Sequence, residues 1–210
     1  MSTYGMFKNK INGKKLVFYP CPKNGNSSAK LFFAKHLGLD KDYVFIGDKI
    51  PRYQQKVDDF GGKKNLINFL PTKQPFEKII SDYKCCIVRD PLSRFISAYK
   101  NRINYHKDED FKGHTVDMVL EKLENNNFEN QHFLTQSYFL GGSLDYYDFY
   151  SNINNVTIFQ REVNNFFDNN LAFPKIQTGG GDSELRLTSE QCDKVKKIYL
   201  EDYELLKIKT

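Results

Sequence analysis

Residues 16–30 read LVFYPCPKNGNSSAK, and few folds accommodate that order of residues. An apolar run stops at Pro20 and Pro22. A Lys-Asn-Gly-Asn turn follows, and two hydroxyl residues open a helical pattern that closes at Gly38. A buried strand that passes through a short polar loop into a helix gathers backbone N–H groups and the positive end of the helix around one point. Lys23 adds a full charge, Ser27 and Ser28 add hydroxyl donors, and Gly25 permits close backbone approach. The expected occupant is an anion. The loop is not a Walker A motif, because its lysine precedes a single glycine and no Gly-Lys-Ser/Thr follows. Taken alone, the stretch fits a solvent-facing turn with a capping serine equally well.

A second junction of the same kind lies at YKCCIVRDPLSRFISAYKNRI. YKCCIV reads as a buried strand, Asp90 as an N-cap and Pro91 as the first helical residue. Leu92, Phe95, Ile96, Tyr99 and Ile103 then recur at helical spacing and predict one buried stripe, with Ser93, Ser97 and Lys100 turned away from it. Arg89 falls at the end of the strand, where open α/β sheets bind ligands, and its planar fork suits a phosphate shared with Ser97. An ion pair between Arg89 and an acidic neighbour, with Ser97 merely solvated, is the plainer alternative.

Elsewhere the pattern predicts an amphipathic helix at Val116, Val119, Leu120 and Leu123, a third strand at VTIFQ, and a C-terminal helix over LTSEQCDKVKKIYLEDYELLKI that opens with a Thr188/Gln191 capping box. DYVFIGD is a short strand or part of a loop, and Lys49 to Pro75 is expected to be a substrate-side excursion with a short helix. Strands alternating with helices predict a single α/β domain over 1–210, with a central, mostly parallel sheet flanked by helices. The excess of 31 basic over 26 acidic residues, net +5, suits an anionic ligand but is too small and dispersed for nucleic acid. No stretch reaches the length of a membrane span, and the N-terminus has no secretory core. Cys21, Cys85, Cys86 and Cys192 have no metal-type spacing and read as reduced thiols of a cytoplasmic protein.

Together, the two junctions resemble sulfotransferases that use 3′-phosphoadenosine 5′-phosphosulfate. PCPKNGNSSAK is similar to their 5′-phosphosulfate loop. IVRDPLSRFISAYKNRI is similar to their 3′-phosphate strand and helix, in the form found in the carbohydrate (Golgi-type, family 2) members, and the order along the chain is the same. ENQHFLTQSYFL resembles the family's His-Trp stretch with Phe133 in place of Trp. YYDFYSNINNVTIFQREVNNFF and FPKIQTGGGDSELRLTSEQCDKVKKIYLEDYELL resemble its later segments.

The resemblance implies a P-loop-like site in which Lys23, Asn24, Gly25, Asn26, Ser27 and Ser28 wrap the phosphosulfate. Arg89 and Ser97 hold the 3′-phosphate, and Arg186 closes over the nucleotide. The acceptor it implies is a carbohydrate or other small hydroxyl compound. Sulfuryl transfer resembles phosphoryl transfer, with in-line attack and charge building on the leaving oxygen, and it requires no metal. Lys23 is expected to stabilise that oxygen. A general base is also needed, and His132 and Glu77 are the candidates. Some relatives carry a histidine just before the 3′-phosphate strand, where this chain has none between His36 and His106. A nucleotide or small-molecule kinase and a non-catalytic nucleotide-binding relative remain as alternatives. The oligomeric state is not readable.

Overall fold

The four residues Leu16 to Tyr19 show no polar alternation because both faces of their strand are covered, and all four are fully shielded from solvent. They belong to β2 (Lys15–Tyr19). The same holds for Cys85 to Val88 in β6 (Tyr83–Val88). In this computed structural model, residues 2–9, 11–38, 43–45, 53–55, 69–72, 81–125, 127, 130–175 and 184–208 are described. β2 and β6 pair in parallel with Phe18 opposite Cys85, and β7 (Phe149–Asn152) pairs in parallel with β6, Phe149 opposite Cys85. On the other side of β2, β1 (Ser2–Lys8) runs antiparallel to it, and β5 (Phe69–Thr72) runs antiparallel to β1. The five-stranded order is therefore β5-β1-β2-β6-β7. β3 (Tyr43–Phe45) and β4 (Tyr53–Gln55) form a separate antiparallel pair.

Helices cover the sheet. α1 (Asn26–His36) and α5 (Thr157–Phe167) pack on one face, where Phe18 meets Phe33 and Phe159 with ring centroids 5.5 and 5.7 Å apart. The other face buries Val17, Tyr19, Cys86 and Val88 against α4 (Gln136–Leu140) and Leu205 of α7 (Leu200–Leu205). A third cluster joins α2 (Pro91–Tyr99), α3 (Val116–Glu124) and α6 (Ser189–Ile198) around Phe95, Phe133 and Tyr199. Phenylalanine and tyrosine rings fill these interfaces in a chain that has no tryptophan. Asp90 caps α2 by accepting the Ser93 N–H at 2.8 Å with Pro91 behind it, and the Thr188/Gln191 capping box opens α6. Among the described residues, no helix is long and apolar enough to cross a membrane.

Three expectations change. VTIFQ is not a strand: from Thr157 it is the start of α5, and the strand lies just upstream at Phe149–Asn152. Its β-branched residues favour a strand locally, but Phe159, Val163 and Phe166 recur at helical spacing and all three are buried against the sheet, which prevails. The C-terminal helix divides at Tyr199 into α6 and α7; the Tyr199 hydroxyl donates to the Phe133 carbonyl at 2.8 Å. The excursion between Lys49 and Pro75 supplies β4 and β5, while the short helix expected there lies outside the described residues. The N-terminal segment, without a sequence assignment, forms β1. The turn that follows is held by Asn9, whose side-chain oxygen accepts the N–H groups of Ile11 and Asn12 at 2.7 and 3.2 Å.

Candidate functional site

Because β2 and β6 are parallel neighbours, the loops that leave their C-terminal ends emerge side by side. The first loop turns sharply: Lys23 has φ 71° and Gly25 has φ 79°. The positive φ favours glycine at position 25, and a Cβ there would also stand 2.4 Å from Cδ1, the flexible end of Ile153, which would have to shift. No side chain caps α1, whose N-terminus faces the loop.

The two loops are bonded to each other through groups at both junctions. Asn24 is fully buried, and its amide donates to the Ile87 carbonyl at 2.8 Å and to Gln136 Oε1 at 2.7 Å. Gln136, also fully buried, closes on the Arg89 peptide: Oε1 accepts the Arg89 N–H at 3.0 Å and Nε2 donates to the Arg89 carbonyl at 2.8 Å. Arg89 Nη1 donates to the Lys23 carbonyl and Arg94 Nε to the Pro22 carbonyl, each at 3.0 Å. Two arginines of the second junction thus hold two successive carbonyls of the first.

This arrangement concentrates positive charge. Among the described residues, Lys23, Arg89 and Arg94 form no ion pair with a carboxylate. Burial, and then the fields of Arg89, Arg102 and Arg94, push the Lys23 amine down to about 8. Burial likewise lowers Arg89, with Arg94 adding to the effect. Arg89 Nε, Arg94 Nη2, Asn24 Oδ1 and Asn26 Oδ1 are buried without a hydrogen-bond partner. Asp90 and the buried Asp202 offset part of the charge of Arg89 and Arg94, but the idle donors Arg89 Nε and Arg94 Nη2 are costly unless an anion completes them. The donor set therefore fits a multiply charged phosphate compound.

His132 belongs to the same cluster. Burial and the charges of Arg102, Lys23 and Arg94 hold its imidazole down to about 4, against a smaller upward pull from Asp108. Its Nδ1 lies 2.8 Å from Asn130 Oδ1. Ser28 is buried and Ser27 exposed in the first turn of α1. Ser97 stands half-buried on α2, and its hydroxyl has no hydrogen bond to a described residue. Arg186 is not drawn in: its side chain is 82% exposed and pairs with Glu184 at 2.8 Å. Glu77 lies outside the described residues.

Sequence reasoning passed over Arg94, Arg102, Gln136, Asn130 and Asp108. Arg94 carried a signal, since Pro91 and Ala98, three before and four after it, share the buried side of α2, and an arginine there needs a partner. Arg102 sits in a π-helical stretch, Lys100–Tyr105, that continues α2 with a changed rotation, so α-helical spacing misplaces it.

The model of the Sulfotransferase family matches residues 12–154, more than half of the 210-residue chain. That span includes Lys23 to Ser28, Arg89, Ser97 and His132, and it ends before Arg186. No curated protein and no solved structure matches the chain.

Proposed function

The chain belongs to the sulfotransferase family, and from that premise we propose that it moves a sulfuryl group from 3′-phosphoadenosine 5′-phosphosulfate to a hydroxyl of a carbohydrate acceptor. The observation that carries the reading is the trio of half-buried Lys23 after β2, half-buried Arg89 after β6 and buried Arg94 in the first turns of α2, none in an ion pair with a carboxylate among the described residues. When bound, the donor supplies a phosphosulfate whose bridging oxygen gathers charge as the sulfuryl group leaves.

Lys23 is the group that meets that charge, and Ser27 and Ser28 add donors from the first turn of α1. The N-terminus of α1, the positive end of the helix, faces the phosphosulfate oxygens. Arg89, with its idle Nε, and Ser97, whose hydroxyl bonds to no described residue, take the 3′-phosphate. His132 accepts the proton of the acceptor hydroxyl; held down to about 4, its imidazole is neutral at pH 7. A cytoplasmic location belongs to the same reading and is supported by four free cysteines.

Calorimetry with adenosine 3′,5′-bisphosphate, 5′-AMP and ATP, with and without Mg²⁺, tests the proposal. Binding should depend on the 3′-phosphate and not on metal. Arg89→Ala should weaken it at least about tenfold, the scale of one charge-assisted hydrogen bond of about 1.5–3 kcal/mol. An amine near 8 that gains an anionic neighbour rises, so binding at pH 8 should take up protons, seen as a dependence of the heat on buffer ionisation that Lys23→Met removes. Preference for ATP with Mg²⁺ would sink the proposal.

A further inference from the structure

His132 is one end of a hydrogen-bonded chain built between the segment before α4 and the π-helical stretch Lys100–Tyr105 with the turn that follows it. Asn130 Oδ1 faces two nitrogens of residue 132: the backbone N–H at 3.0 Å and the ring Nδ1 at 2.8 Å. Asn130 Nδ2 faces Asp108 Oδ2 at 3.1 Å. Asp108 in turn is gripped by both arms of Arg102, Nε to Oδ2 and Nη2 to Oδ1, each at 2.6 Å.

The orientation of the Asn130 amide follows from its neighbours. A backbone N–H only donates and a paired carboxylate only accepts. Turning the amide over would set its NH₂ against the N–H of His132 and its oxygen against Asp108. The oxygen therefore faces the imidazole, and an oxygen acceptor at 2.8 Å requires that Nδ1 carry the proton. Among the described residues Nε2 makes no hydrogen bond, and it is absent from the buried unpartnered atoms, so its lone pair is open.

We infer that Asn130, braced by Asp108 and Arg102, is a positioning residue that fixes the Nδ1–H tautomer of His132 and leaves Nε2 as the proton-accepting atom. The tautomer follows from the hydrogen bonds alone; what Nε2 accepts a proton from rests on the sulfotransferase reading. An amide between ring and carboxylate has a further consequence. Asp108 spends its charge on Arg102 and does not touch the ring, so it stabilises an imidazolium less than a directly bonded carboxylate does. Lys23, Arg94 and Arg102 face the ring with the opposite sign. Proton transfer to Nε2 is thereby left reversible, which suits a base that must release its proton once the product leaves.

The test is long-range ¹H–¹⁵N correlation NMR of the unliganded full chain labelled at its four histidines, with His132→Gln to assign the resonance. At pH 7.5, wild-type His132 should show the Nδ1–H pattern. Asn130→Ala should shift it toward the Nε2–H form that free imidazole prefers. Asn130→Asp, which keeps an oxygen facing the ring, should retain Nδ1–H, and this holds the test open if the alanine variant does not fold. Adenosine 3′,5′-bisphosphate should bind wild type and a folded Asn130→Ala within about threefold of each other, because the alanine changes no charge and the asparagine touches none of the proposed phosphate ligands. An Nε2–H wild type, or a folded Asn130→Ala with an unchanged tautomer, overturns the inference. Loss of nucleotide binding in wild type overturns the sulfotransferase reading and leaves the tautomer standing.

Discussion

Gly25 shows how one missing side chain shapes the site. Its φ of 79° is strained for any L residue by about 1–2 kcal/mol, and its Cβ would collide with the end of Ile153. These two costs are separable, because only the second disappears when Ile153 loses its terminal methyl. Gly25→Ala should destabilise the protein in urea unfolding, and it should cost measurably less in an Ile153→Val background. Equal costs in both backgrounds would mean the collision is relieved by a side-chain rotation. Lys23 adopts φ 71° without being glycine, and the Arg89 bond to its carbonyl helps hold that conformation. Lys23, Arg89 and Ser97 could be named as candidates only from the two motifs taken together with the resemblance they carry. Asn24 was expected to touch phosphate, whereas its amide nitrogen is spent on Ile87 and Gln136 and its oxygen remains unpartnered.

At the scale of elements, the junction of β6 and α2 combines two tasks that substitutions can separate. Asp90 caps α2 through the Ser93 N–H, and its charge partly offsets that of Arg89 next to it. Asp90→Asn keeps a cap of similar strength and removes the charge. Stability should barely change, while affinity for adenosine 3′,5′-bisphosphate should rise about two- to fivefold, equivalent to roughly 0.5–1 kcal/mol. Asp90→Ala should lose about 1 kcal/mol of stability with the same gain in affinity. Parallel measurements of denaturation and calorimetry decide whether the two effects divide this way. Elements whose caps lie within a few residues, such as α2 and α6, could be read from the chain. α5 was misjudged because a Val-Thr-Ile run is locally strand-like and only the sheet beneath Phe159 and Val163 selects the helix.

For the whole molecule, a histidine held in the aromatic layer between α1 and α5 ties stability to pH. His36 stacks on Phe167 with centroids 4.8 Å apart and meets the edge of Phe32 at 4.6 Å, and both ring nitrogens are buried without a partner. Burial holds its pKa down to about 4, against 6.5 for the free side chain. His132 is also held down to about 4. The unfolded chain therefore takes up protons first as pH falls. The stability due to both residues is full above pH 6.5 and is lost as pH drops toward 4. Urea midpoints measured from pH 7.5 to 4.5 should fall, and His36→Phe, which keeps the ring contacts, should flatten the decline.

The sequence by itself determined the two strand-to-helix junctions, their order, and the cationic side chains they carry. Those features depend on residues within a few positions of one another, where turn chemistry, capping and helical period act. Tertiary structure alone decided which partners complete them. Gln136 reaches the Arg89 peptide across 47 positions, and Asn130 reaches Asp108 across 22. β1 and β5 join the sheet by pairing whose energy comes from a distant strand. Arg94 enters the interior because the Pro22 carbonyl is there to receive it. Side chains so far apart in the chain leave no periodic trace, since the free energy of their contact exists only after the backbone has brought them together.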